Sequence, residues 1–234
     1  MRIATWNLER KTPTSPRGSE AIDYLHARQA DVLVITEGRM SFPTNGGHLL
    51  WTTPPLGSRF AKDERKVLVW SRNELEPVKI DSPIDDRRFV AARTVTPIGK
   101  ILIVAVCIPW HMAEVTYHTN EKKKPWQEHH EYLVHLKAIL ESLDEPTVIA
   151  GDFNQRYPRV QYGNRAAAEA LAYTFDGTEI ATAGVIPGCE KPGIDHIAIG
   201  PGLRVERVEG WPNDVTGNRL SDHDGALVEV APTG

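Results

Sequence analysis

The strongest constraint on this chain is a series of short apolar runs, each bordered by a polar residue able to do chemistry. Asp31-Val32-Leu33-Val34-Ile35-Thr36-Glu37 is one, and Lys66-Val67-Leu68-Val69-Trp70 is a second. Residues 101–108 form a third, and Thr147-Val148-Ile149-Ala150 a fourth. Runs this short and continuous read as strands covered on both faces, because a strand with one wet face alternates apolar with polar residues. Residues 2–8 and 89–96 read as further strands, and 195–199 and 226–230 as late ones. The longest run is eight residues, and a spanning helix needs about 20, so no membrane span is expected.

Helical patterns fall between the strands. Residues 20–29 place Ala21, Ile22, Leu25 and Ala27 on one face. Residues 125–143 place Leu133, Leu136, Leu140 and Leu143 at spacings of three and four, with Pro125 in the first turn and Pro146 as the stop. Residues 164–172 read as a short alanine-rich helix, and Pro97-Ile98-Gly99-Lys100 as a turn. Strands and helices alternate with no linker, low-complexity tract or internal repeat between them. The expectation is one mixed α/β domain over residues 1–234 with at least one large sheet.

Composition narrows the function classes. Of the 234 residues, 41% are hydrophobic and 25% charged, near the average for globular domains, which excludes disorder and coiled coil. The formal net charge is −4, and the pI of about 6.1 argues against a polybasic DNA binder that neutralises many phosphates. It leaves open an enzyme that grips one phosphate. Cys107 and Cys189 cannot make a disulfide scaffold or a thiolate metal site, and Cys107, inside an apolar run, is expected to be a buried free thiol. The N-terminus lacks the apolar stretch of a signal peptide, so a cytoplasmic protein is expected; the sequence leaves the oligomeric state open, and a monomer is taken as the starting point.

The chemistry collects at strand ends. Asn7 closes the first strand, Glu37 the second, and His111 follows the 101–108 run. Asp152 and Asn154 follow the next strand, Asp195-His196 opens a late one, and Asp222-His223-Asp224 precedes the last. Acids have poor strand propensity and are costly to bury unpaired, and sheet ends are where α/β proteins place their sites. Carboxylates with neutral amides suit a hard divalent cation such as Mg²⁺, with phosphate and water completing its shell. Mn²⁺ accepts the same oxygen-rich donors. Imidazoles can donate to phosphate oxygens or move protons near neutral pH. No zinc spacing and no glycine-rich phosphate loop occurs.

Five segments carry a resemblance: Thr5-Trp6-Asn7-Leu8, Thr36-Glu37, Gly151-Asp152-Phe153-Asn154, Ile194-Asp195-His196 and Ser221-Asp222-His223-Asp224. In order and at strand ends, they resemble the motifs of the endonuclease/exonuclease/phosphatase family, from residue 5 to residue 224. The resemblance implies a four-layer α/β/β/α sandwich, two packed mixed β-sheets with helices outside, in the broad α/β class (α+β type). It also implies Mg²⁺-dependent cleavage of phosphoesters in nucleic acids, phosphoinositides, sphingomyelin or other esters.

By the same resemblance, Asn7 lies near metal and phosphate, Glu37 is the principal metal ligand, and Asp222 is a further metal-site carboxylate. Asp152 aligns and deprotonates the attacking water, and Asn154 binds phosphate beside it. Asp195 orients His223, which contacts the scissile phosphate. His111 matches a position where the family has His or Tyr, where the apurinic-site repair branch often has Tyr. The implied activity is hydrolysis of a phosphodiester by in-line attack of water, with a nuclease on DNA or RNA favoured. A lipid-headgroup or small-molecule phosphodiesterase or phosphatase of the same fold is the alternative. A non-catalytic binding module is a further one, set against the retention of every motif residue.

Other features have plainer readings. His196 is expected to be a packed strand residue. His118, His129, His130 and His135 are read as a solvated helix face rather than a zinc site, since adjacent histidines face different directions. Lys122-Lys123-Lys124 is read as a solvated charge run. Trp110 is read equally as a pocket wall or as a core packing residue, and Arg59, Arg87 and Arg88 are candidate phosphate clamps.

Overall fold

The computed structural model describes every residue except 58, 117–120, 162 and 216. Twelve strands and three helices occur among the described residues. The first part runs β1 (Arg2–Asn7), α1 (Pro16–Ala27), β2 (Val32–Arg39), β3 (His48–Trp51) and β4 (Glu64–Ser71). There follow β5 (Leu75–Val78), β6 (Phe89–Thr96), β7 (Gly99–Cys107), α2 (Gln127–Glu141) and β8 (Thr147–Asp152). The chain closes with α3 (Arg165–Thr174), β9 (Glu179–Ile180), β10 (Asp195–Ile199), β11 (Leu203–Trp211) and β12 (Gly225–Pro232).

The strands form two six-stranded sheets, ordered β11-β12-β1-β2-β4-β3 and β5-β6-β7-β8-β10-β9. Each sheet has one parallel pair at its centre, β1 with β2 and β7 with β8, flanked by antiparallel neighbours. Each parallel pair is joined through a helix, α1 or α2, as parallel strands require. The two sheets thus repeat one topology, a repeat in strand order that the sequence does not display.

Strict alternation along the apolar runs builds the layers. In β7, Ile101, Ile103, Ala105 and Cys107 face the other sheet, where they meet Val32, Val34, Val67 and Val69. Leu102, Val104 and Val106 face outward onto Tyr132, Leu133, Leu136 and Ile139 of α2. On the opposite outer face, Ala21, Ile22 and Leu25 of α1 pack on Ala4, Trp6, Leu33 and Ile35. The architecture is therefore a four-layer α/β/β/α sandwich, and Cys107 is a buried free thiol.

Among the boundaries that differ from the sequence reading are two helix starts. The first helix begins at Pro16, because Ser15 caps it by accepting from the Gly18 amide and proline is tolerated at the first turn. The second begins at Gln127, with Pro125 outside it, because Trp126 adopts a left-handed conformation (φ 70°) that ends the preceding turn.

Gly151 precedes the strand-end acid of β8 and has φ +137°. A Cβ there would lie 1.9 Å from the Val106 carbonyl oxygen of the paired strand. Gly151→Ala should therefore cost about 3 kcal/mol or more, a fall of roughly 6–12 °C in Tm by thermal melting. An unchanged Tm would mean that β7 and β8 can separate locally.

Candidate active site

The C-terminal ends of both parallel pairs open into one cleft of about 660 Å³. From the first sheet come Asn7, Glu37 and Lys66, and from the second Cys107 and Asp152, with Asn154 just beyond. Asp222 and His223, on the loop before β12, complete that end.

Asp152 and Asp195 are register partners on adjacent antiparallel strands. Both are buried. Asp195 Oδ2 accepts from His223 Nδ1 at 2.5 Å. His223 Nε2 lies 3.8 Å from Asp222 Oδ1. Burial alone would lower the His223 pKa, but the Asp195 carboxylate overrides it and carries the imidazole up to about 10. The His223 backbone is held from behind. Trp6 Nε1 donates to the His223 carbonyl (2.8 Å), and the His223 amide donates to Ser221 Oγ, which donates to the Asn7 carbonyl (2.6 Å). Trp6 and Ser221 are positioning residues inside motifs whose outward-facing members draw attention first.

Asp152 Oδ1 accepts from the Asn154 amide N–H (2.7 Å). Its Oδ2 accepts from Asn154 Nδ2 (2.9 Å) and, longer, from Asn7 Nδ2 (3.4 Å). Asn154 reaches this position with φ +52°, which asparagine tolerates better than most residues. Burial, with the Asp195 charge opposite, pushes Asp152 up to about 7, the range in which a carboxylate can both hold and release a proton at neutral pH.

Glu37 ends the apolar part of β2 with φ +47°, a left-handed conformation that a non-glycine residue adopts only under constraint. Burial would raise its pKa, but Lys66 and Arg10 bring it down to about 2. Lys66 Nζ lies 2.5 Å from Oε1 and Arg10 Nε 3.0 Å from Oε2. Neither cation stands out in the sequence. Lys66 merely opens an apolar run, and its meeting with Glu37 depends on the register of β2 against β4.

The donor set fits a hard divalent cation. Its acids are Glu37, Asp152, Asp195 and Asp222, and one ligand atom from each of Asp152, Asp195 and His223 falls within 4.8 Å of the others. Asp195 Oδ1 is buried without a hydrogen-bond partner in the structure, and Glu37 already attracts positive charge to both oxygens. Oxygen donors in this number suit Mg²⁺ or Mn²⁺ rather than a soft metal.

The remaining sequence candidates divide. Trp110 is exposed and lines the cleft, as do Arg59, Arg87 and Arg88. Asp85 binds Arg87 Nε at 2.6 Å and pairs with Arg88 at 3.7 Å. His111 is exposed, packed against the Trp110 and Trp126 rings, and is not among the residues that line the cleft. His196 is a packed strand residue, bonded to Thr182 Oγ1 and the Gln155 carbonyl. His129 corrects the solvated-face reading. It is fully buried, its Nδ1 donating to the Pro109 carbonyl at 2.7 Å, and so pins the segment that presents Trp110. His118 lies outside the described residues. Lys123 is tied to Glu128 and Glu131.

The sequence matches the model of the endonuclease/exonuclease/phosphatase family over residues 4–223. The chain belongs to this family. No curated protein matches it. Its fold is shared by the 3′-5′ exonuclease NExo from Neisseria meningitidis, with TM-score 0.70 and 17% identity over 99% of this chain and 100% of that one. A single-residue variant of the 3′ phosphatase NExo from Neisseria, solved bound to a product DNA hairpin, has TM-score 0.71 and 17% identity over 98% of both chains. Humanized D. rerio TDP2 has TM-score 0.68 and 14% identity over 98% of both. Members of the family hydrolyse phosphoester bonds with divalent metals, and Asp152, Asp195 and His223 of this chain form a group that could hold one. No described helix is long and apolar enough to cross a membrane.

Proposed function

We propose that this chain is a Mg²⁺-dependent phosphodiesterase that cleaves by in-line attack of water, and that its substrate is a nucleic acid. The observation that carries the reading is the convergence of Asp152, His223 and Glu37 on one cleft, with Asp195 bonded to His223 behind it, from three strand ends and a loop. In this reading Glu37, Asn7 and Asp222 hold the metal, which supplies charge neutralisation at the phosphate oxygens. Asp152, steadied by Asn154 and Asn7, accepts the proton of the attacking water. Cationic His223, fixed by Asp195, donates to a phosphate oxygen as charge develops there. Asn154 binds phosphate, and the chemistry does not call on His111.

The nucleic-acid assignment is supported by Arg59, Arg87 and Arg88 along the cleft, by exposed Trp110, and by the DNA-bound neighbour. The acids that also line the cleft favour the second reading, a smaller phosphate ester such as a lipid headgroup. A DNA duplex and bis(p-nitrophenyl) phosphate, hydrolysed side by side across a salt series, test the choice. A nuclease using three cleft arginines should show log(kcat/KM) on DNA falling against log[salt] with a slope of about −3. A flat salt response with the small ester preferred would overturn the nuclease assignment.

A further inference from the structure

The Glu37 carboxylate is held on both sides. Lys66 Nζ takes Oε1 at 2.5 Å, and Arg10 reaches Oε2 at 3.0 Å and Oε1 at 3.4 Å. The Arg10 backbone N–H also donates to the Glu37 carbonyl at 2.8 Å. The Lys66 side chain is only 12% exposed and that of Glu37 18%, so their pairing is poorly screened by solvent. The register sets it: Thr36 pairs with Val67 and Gly38 with Arg65, which puts Glu37 opposite Lys66. Around them the Phe60 ring gathers three cations, with Arg59 at 4.9 Å, Arg10 at 5.4 Å and Lys66 at 5.5 Å from its centroid. All three line the cleft.

A dication and an ammonium cannot share one carboxylate oxygen without strong repulsion. A metal that takes Oε1 must therefore displace Lys66. The freed ammonium sits on a flexible four-carbon stem and needs a new anion at once, because it is nearly buried. The adjoining cleft, between Arg10 and Arg59, is where an anionic substrate would offer one. We propose that Lys66 is a resident counter-cation on Glu37, exchanged for a divalent metal when a phosphate enters the cleft to receive it, so that metal and phosphate bind with positive coupling. The proposal rests on the reading of Glu37 as a metal ligand. It gives the metal-free protein a satisfied carboxylate and ties metal uptake to the presence of substrate.

Isothermal titration of Mg²⁺ into the full chain, with and without inorganic phosphate, tests it without any turnover. Wild type should bind Mg²⁺ at least fivefold more tightly with phosphate present, and Mg²⁺ should tighten phosphate binding by the same factor, as linkage demands. Lys66→Met should bind Mg²⁺ alone at least tenfold more tightly than wild type, and its coupling factor should fall. Lys66→Gln carries the same test if the Met variant does not fold. If both variants bind Mg²⁺ no better than wild type while Glu37→Gln abolishes binding, Lys66 is only a structural partner, and the metal-site reading survives without the exchange. If Glu37→Gln leaves Mg²⁺ binding intact, the metal-site reading itself fails and takes the exchange with it.

Discussion

Asp152→Asn lowers kcat by roughly 10³-fold while the protein stays folded, on the scale expected for removal of a positioned proton acceptor. Asparagine keeps the volume and the Oδ1 that accepts from the Asn154 amide. It cannot take a proton from water. The native carboxylate is buried opposite Asp195, a costly arrangement that raises its pKa to about 7. Removing that charge relieves repulsion, although the new amide faces the donors Asn7 Nδ2 and Asn154 Nδ2. These effects oppose each other, so Tm should move by only a few degrees. A lost activity with an unmoved Tm marks chemistry rather than folding. Substantial residual turnover in Asp152→Asn would assign the proton transfer to another group.

The second large effect concerns a residue that touches no substrate. Asp195→Asn should cost roughly 10²- to 10⁴-fold in kcat, because it removes the charge that holds His223 as a cation in the right orientation. The distinguishing readout is the imidazole itself. By NMR, His223 in wild type should titrate near 10, pushed there by Asp195 against the opposing pull of burial. In Asp195→Asn the burial remains and the nearest negative charge is gone, so the value should fall well below its wild-type position, with only Asp152 and Asp222 still raising it. Combined with His223→Ala, the double variant should be little worse than His223→Ala alone, since the two residues act as a unit. Additive losses would show that Asp195 acts independently of His223.

Much of this arrangement is legible in the sequence because burial and chemistry write different signals there. The 101–108 run reads as a doubly covered strand, and β7 alternates Ile101, Ile103 and Ala105 inward with Leu102, Val104 and Val106 outward. Acids and amides at strand ends are conspicuous because nothing in local structure requires them. What stays hidden depends on pairing. Strand β11 reads Leu-Arg-Val-Glu-Arg-Val-Glu-Gly-Trp, too charged for an apolar pattern, and a register shift between Val205 and Arg207 breaks its period. It is an edge strand with one side in solvent, where such charge is tolerated. Strand β3 is a four-residue edge strand, His-Leu-Leu-Trp, too short to show a period of its own.

The cleft repeats the lesson. Lys66 and Arg10 matter only through the β2–β4 register and the turn after β1, neither of which local composition encodes. His111 follows the right strand, yet the turn through Trp110 and Ala113 carries it outside the cleft wall while bringing Trp110 and Glu114 in. His129 had a usable signal. It lies three, four and seven residues before Tyr132, Leu133 and Leu136, the spacing of the buried face of α2.

The most direct test of the central claim is turnover of bis(p-nitrophenyl) phosphate by the full chain with Mg²⁺, with Mn²⁺ and with EDTA, in wild type and in Asp152→Asn. Turnover that requires a divalent metal, stops with EDTA and is lost in the variant is the predicted result. Turnover that persists in EDTA, or that Asp152→Asn retains in full, would contradict the assignment of this cleft as a metal-dependent phosphodiesterase centre.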